Sequence, residues 1–154
     1  APTVYYGDEA GVCGFTDPDN RRTYPWGREN KELLAFHKEM IRIHKQEKPL
    51  RKGSIKLLYA ERNVLAYARF QEDEQIIVIL NNSKDLKELT VPVWFAGVPK
   101  QGSMERLMYT YEEGYTTEYD EFIVENGEIV INMGRHSAIV MKPISEGEKT
   151  WQGK

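Results

Sequence analysis

Three features of the 154-residue sequence predict a mainly β fold: an antiparallel β-sandwich of eight strands preceded by one strand, a long loop and one α-helix. From Ser54 onward apolar residues recur with a period of two, in runs short enough to be strands. Clusters of turn-forming residues separate those runs. Upstream of them, residues 31–46 carry the 3.6-residue period of an amphipathic helix.

Taken in order, Pro2 to Tyr6 is aromatic and β-branched with little alternation, which predicts a strand covered on both faces. Gly7-Asp8-Glu9 follows as a turn, and a dense polar loop, Asp17-Pro18-Asp19-Asn20-Arg21-Arg22, then closes on Tyr24, Pro25 and Trp26. Asn30 is the expected N-cap of a helix from Lys31 to Gln46, ended by Pro49 and Gly53. Leu33, Phe36, Met40 and Ile41, with His37 and His44, form its expected inward stripe.

The eight strands are expected over Ile55 to Tyr59, Val64 to Gln71, Gln75 to Asn81, Lys87 to Val93, Met104 to Tyr109, Glu121 to Val124, Glu128 to Ile131 and Ser137 to Lys142. Asn126-Gly127 marks the clearest hairpin, because both residues tolerate a positive φ. The tail Ser145 to Lys154 is polar apart from Trp151 and is expected to be mobile.

Composition narrows the classes of partner. With 40% hydrophobic and 29% charged residues the chain reads as globular, and a net charge of −3 with both signs interspersed offers no basic face for nucleic acid. No apolar run approaches the roughly 20 residues that span a bilayer, so no membrane partner is expected; no signal pattern opens the chain, which means little for a fragment. Cys13 is the single cysteine, which rules out an intrachain disulfide and leaves the compartment open.

The loop from residue 7 to 26 carries the chemistry. Its glycines at 7, 11 and 14 let the backbone turn sharply, and Pro18 stiffens it, an arrangement costly to order unless it binds something. Asp17 and Arg21 supply a carboxylate and a planar guanidinium; Tyr24 and Trp26 supply flat rings. Such groups bind sugars, the charged ones taking hydroxyls and the rings stacking on pyranose C–H faces. The bland reading of Asp17 and Arg21 is a surface salt bridge.

The ordered run PTVYYGDEAGVCGFTDPDNRRTYPW resembles the eighth-strand region of the α-amylase family of glycoside hydrolases (family 13), in particular its neopullulanase, cyclomaltodextrinase and amylopullulanase-like members. There P-x-I-Y-Y-G-D-E-x-G leads to D-P-x-N-R. NVLAYARFQEDEQIIVILNNS likewise resembles the start of that family's domain C.

The resemblance implies a division of the chain. Residues 1–46 would be the end of a catalytic (β/α)8 barrel, comprising its last strand, a substrate-rim loop and its last helix. Residues 47–144 would be the C-terminal antiparallel sandwich, followed by the polar tail 145–154. It implies substrate-binding roles for Asp17 and Arg21 around the third donor subsite, framed by Tyr24 and Trp26.

The family's three catalytic carboxylates lie on strands four, five and seven, all upstream of residue 1. No catalytic residue is therefore expected here, and the isolated chain is expected to be inactive; a whole barrel needs roughly 250 residues. The parent would hydrolyse α-1,4-glucosidic bonds in starch, maltodextrin or pullulan by a retaining mechanism. The partners implied are α-glucan oligosaccharides and the missing N-terminal barrel, with self-association through the bared helix stripe.

Other candidates are weaker. Asp8 with Glu9, or Asp17 with Asp19, are neighbours in a glycine-rich loop rather than carboxyls about 5–5.5 Å apart across a sugar. Counted from Asp17, a calcium loop would need an acid or amide at Arg21 and glycine at Arg22. His37, His44 and His136 read as packing or surface histidines, so no metal and no cofactor are expected.

Trp94-Phe95 and the Tyr109 to Tyr119 series read as sandwich core or domain packing, with a surface starch site as the alternative. The competing readings of the whole chain are a stand-alone carbohydrate-binding module and a structural β-sandwich module.

Overall fold

The computed structural model describes residues 2–144; the expectation of a mobile tail lies outside them. The chain divides into two compact units, Ala1–Gln46 and Glu47–Lys154.

In the first unit, the strand expected over Pro2 to Tyr6 is not formed. A strand persists only where ladder partners take its N–H and C=O groups, and among the described residues no strand pairs with this segment. Val4, Tyr5 and Tyr6 are exposed rather than covered on both faces. A 3-10 turn follows at Asp8–Ala10, bracketed by Gly7 and Gly11 at φ 90° and 74°. Both values lie in the left-handed region that favours glycine.

Helix α1 spans Lys31–Gln46. Asn30 caps it as expected, its Oδ1 accepting the Leu33 N–H at 3.0 Å. Glu32 in the first turn and His44 and Lys45 in the last suit the helix dipole. The expected inward stripe is only partly inward. Leu33, Phe36 and His37 are half-buried and Ile43 is buried, whereas Met40 and Ile41 are exposed.

In the second unit Pro49 does not merely end a helix. It opens a short one, α2 (Lys48–Lys52), in whose first turn its missing N–H costs nothing. Among the described residues nine strands follow: β1 (Ser54–Glu61), β2 (Val64–Gln71), β3 (Glu74–Asn81), β4 (Lys87–Val91), β5 (Gln101–Tyr111), β6 (Gly114–Thr116), β7 (Glu121–Glu125), β8 (Ile129–Met133) and β9 (Ser137–Pro143). The strand missing from the sequence reading is β6, three residues beginning at Gly114 that pair with the end of β5. Strand β4 stops at Val91 because Pro92 has no N–H for the ladder, and residues Val93–Ala96 form a 3-10 turn instead.

Seven strands make one sheet in the order β1-β2-β3-β9-β5-β6, with β7 also on β5; β4 and β8 form a second, two-stranded sheet. All pairings are antiparallel. The period of two is visible in β2, where Val64, Ala66 and Ala68 are buried, and in β8, where Ile129, Ile131 and Met133 are. These residues meet Ile77, Ile79, Leu89, Val91, Met104, Ile139 and Met141 in one core between the two sheets.

Turn chemistry sets the registers. Asn126 and Gly127 lie at φ 54° and 84°, which closes the β7–β8 hairpin tightly. Buried Asn81, at the end of β3, donates from Nδ2 to the carbonyls of Asp85 at 2.9 Å and Gly134 at 2.7 Å. Its Oδ1 accepts from the Ser83 N–H and hydroxyl. One buried amide thus ties the turn after β3 to the turn before β9.

Candidate functional site

The loop between Gly11 and Asn30 is built by close backbone approach. A Cβ on Gly14 would stand 2.5 Å from Asn20 Cα, so the two sides of the loop meet there and glycine is required by space. Two successive turns follow, with the Asp19 N–H donating to Thr16 O at 2.8 Å and the Arg21 N–H to Pro18 O at 3.0 Å.

Within this frame the acidic residues play different parts. Asp19 is occupied internally: its Oδ2 accepts the Phe15 N–H at 2.9 Å and its Oδ1 accepts the Arg22 guanidinium. Those bonds, the Arg22 one first, hold its carboxyl below the usual carboxylate range, and the same bond raises Arg22. Asp17 faces outward with Arg21, Oδ2 to Nη2 at 3.0 Å, their side chains 59% and 69% exposed. Spare oxygens and N–H groups of both remain open to water, or to a hydroxylated ligand.

Tyr24 and Trp26 form a second pair, centroids 4.5 Å apart and planes inclined by 49°. Trp26 is 81% exposed while Tyr24 is half-buried. Partial desolvation raises the Tyr24 phenol, and the charges of Glu9 and Glu29 add to the rise. The structure therefore brings together Asp17 with Arg21 and Tyr24 with Trp26, as two pairs.

Sequence reasoning missed other aromatic surface beside them. Phe15 is 86% exposed at the loop's entrance, and the Tyr5 and Tyr6 rings lie 4.8 Å apart with planes tilted by 40°. Partial desolvation and Tyr5 raise the Tyr6 phenol, and the Arg21 cation opposes that rise.

The other candidates engage in local structure. Glu9 Oε2 accepts the Gly7 N–H at 3.0 Å, and His37 Nδ1 lies 2.9 Å from Leu33 O within α1. His136 Nδ1 lies 3.1 Å from Glu112. Among the described residues no group of three or more His, Cys, Asp or Glu side chains is arranged to hold a metal ion.

Trp94 and Phe95 are not core. They are 42% and 48% exposed, because Val93 and Ala96 on either side of them take the buried positions of the turn. Tyr109 does pack against the core, and Tyr111 and Tyr119 are exposed.

Comparison with known proteins finds relatives for the chain. Residues 55–106 match the family described as maltogenic amylase, C-terminal domain. The chain is 33% identical to an amylopullulanase of Thermoanaerobacter thermohydrosulfuricus over 94% of its own length and 11% of the relative's. It is 44% identical to a cyclomaltodextrinase of Thermoanaerobacter pseudethanolicus over 53% of its length and 15% of the relative's. A solved α-amylase of Anoxybacillus superposes with a TM-score of 0.75 at 26% identity, over 92% of this chain and 28% of that one. The chain thus spans well under a third of each of these proteins.

Proposed function

Because the chain belongs to the α-amylase family of glycoside hydrolases, we propose that it forms the C-terminal part of an enzyme that hydrolyses α-1,4-glucosidic bonds in starch, maltodextrin or pullulan with retention of configuration. On this reading residues 1–46 complete a catalytic barrel and residues 47–144 are the β-sandwich that stabilises it. The bond-breaking carboxylates come from the rest of the enzyme, and the loop supplies sugar contacts on the non-reducing side.

The observation that carries the proposal is the outward Asp17–Arg21 pair, mutually oriented at 3.0 Å on a loop stiffened at Gly14 and Asn20. A carboxylate accepts from a sugar hydroxyl and a guanidinium donates to one, so a pre-paired couple reads two neighbouring hydroxyls at once. Being held already, it loses little freedom on binding. Tyr24 and Trp26 offer ring faces for stacking nearby in the loop. The exposed Met40 and Ile41 of α1 support docking of that helix on the barrel, and self-association when the chain is isolated.

Kinetics of the whole enzyme test this. Asp17→Ala should lower kcat/KM about 10–100-fold on maltooligosaccharides long enough to reach the loop, and leave short aryl glucosides nearly unchanged. Equal losses on long and short substrates would refute a distal binding role. Turnover of starch by the isolated 154-residue chain would refute the division of labour.

A further inference from the structure

We propose that Asn126 is a latent modification site: its side-chain amide is set to deamidate onto the Gly127 nitrogen, and the β7–β8 hairpin withholds that nitrogen while it stays closed. Of the chain's asparagines only Asn126 precedes a glycine. A glycine nitrogen carries no neighbouring side chain to obstruct its approach to the asparagine Cγ.

The reaction needs only water and hydroxide. Gly127 N gives its proton to hydroxide and bonds to Asn126 Cγ; the Cγ–Nδ2 bond breaks and ammonia leaves, closing a cyclic imide. Water then opens the ring at either carbonyl. Cleavage between the nitrogen and Cγ leaves aspartate, and cleavage between the nitrogen and the backbone carbon leaves isoaspartate, whose main chain runs through the side chain. Water is consumed, ammonia is released and no oxidation state changes.

Of the two reacting groups one is open and the other is held. Asn126 is exposed, so solvent reaches its amide, whereas Gly127 is buried. The Gly127 N–H donates to Lys100 O at 2.9 Å and its carbonyl accepts the Trp94 N–H at 3.0 Å. Deprotonating that nitrogen forfeits its bond and leaves an anion facing the Lys100 carbonyl. The exposed carboxylates of Glu125 and Glu128 on either side repel the same anion.

Closing the imide also turns the Asn126–Gly127 peptide about the Asn126 Cα–C bond. The turn is locked against this by paired bonds, Glu125 N–H to Glu128 O at 3.0 Å and Glu128 N–H to Glu125 O at 2.9 Å, and by the Trp94 side chain packed on Gly127. Opening of the hairpin releases these restraints together, so the rate follows the open fraction. The products then favour further opening. Either one adds a carboxylate between Glu125 and Glu128, and isoaspartate lengthens the main chain, taking Gly127 out of register with Trp94 and Lys100.

Peptide mapping by mass spectrometry of the 154-residue chain, incubated in mildly alkaline heavy-oxygen water, tests this. The folded chain should convert Asn126 at least about tenfold more slowly than the same chain unfolded in guanidinium. Trp94→Ala, which strips the indole from Gly127, should raise the folded-state rate severalfold. If that variant does not fold, guanidinium below the unfolding transition replaces it, and conversion should rise in step with hydrogen exchange of the Gly127 amide.

Equal rates in the folded and unfolded chain would overturn the control by the hairpin. An Asn126 that does not convert even when unfolded, or conversion mainly at exposed Asn82 before Ser83, would overturn the site itself.

Discussion

Trp94 packs onto Gly127 so closely that no side chain fits between them: a Cβ added at Gly127 would lie 2.7 Å from Trp94 Cβ. The same glycine sits at φ 84° in the β7–β8 hairpin. Backbone and packing therefore demand glycine independently. Gly127→Ala should destabilise the second unit by about 2–4 kcal/mol, from left-handed strain plus overpacking. Urea unfolding followed by Trp fluorescence measures it, and a loss below about 0.5 kcal/mol, as for ordinary surface changes, would contradict the packing.

Asn81 should be far more sensitive than its neighbour. Asn81→Ala removes the amide's bonds to the Asp85 and Gly134 carbonyls, which keep the Ser83 and Ser137 hydroxyls, and strips the buried Ser83 N–H of its acceptor, a loss of about 2 kcal/mol. Exposed Asn82→Ala should stay within about 0.5 kcal/mol. Comparable midpoints for the two variants in denaturant would disprove the role given to the buried amide.

The N-cap is separable from the loop's chemistry. Asn30→Ala should cost α1 about 1 kcal/mol and Asn30→Asp or Asn30→Ser should recover most of it, as hydrogen exchange of the Leu33 amide would report. A Leu33 amide equally protected in Asn30→Ala would remove the cap from the account.

Asp19 gives the loop a pH signature of known sign. Its folded pKa lies below its unfolded value because Arg22 and the Phe15 N–H favour the carboxylate. Its support for the loop is therefore complete above the ordinary aspartate pKa of about 3.9 and fades as pH falls through the lower folded value. In a carboxyl-detected NMR titration Asp19 should protonate below that ordinary value, and Arg22→Ala should move it upward. An Asp19 titration indifferent to Arg22 would break the link.

The sandwich was largely legible in the sequence because half-buried strands write a period of two that burial then enforces, as Val64, Ala66 and Ala68 show. Asn126-Gly127 and Asn30 were legible because their backbone duties select their side chains. Pro2 to Tyr6 misled because strand character is a statement about neighbours, and its own residues cannot supply them. Strand β6 was too short to show a period. In the loop the motif pointed to Asp17 and Arg21, but not to the reason Asp17 is the outward aspartate. That depended on Asp19 being captured by Phe15 and Arg22, leaving Asp17 to Arg21. The orientation of Trp94 and Phe95 was hidden because Val93-Trp94-Phe95-Ala96 is apolar throughout, and only the turn after Pro92 decides which members point inward.

Asn30 also fastens the two ends of the loop. Its N–H donates to Ala10 O at 3.0 Å while its side chain starts α1, and Gly11 approaches its Cβ. Everything between those anchor points behaves as a cassette clasped at its base. Since closing a loop grows only slowly more costly with length, residues 12–29 can lengthen, shorten or be exchanged without rebuilding the helix that follows. Variation in the reach of that segment is accordingly where an engineer should look first to retune which ligands it meets.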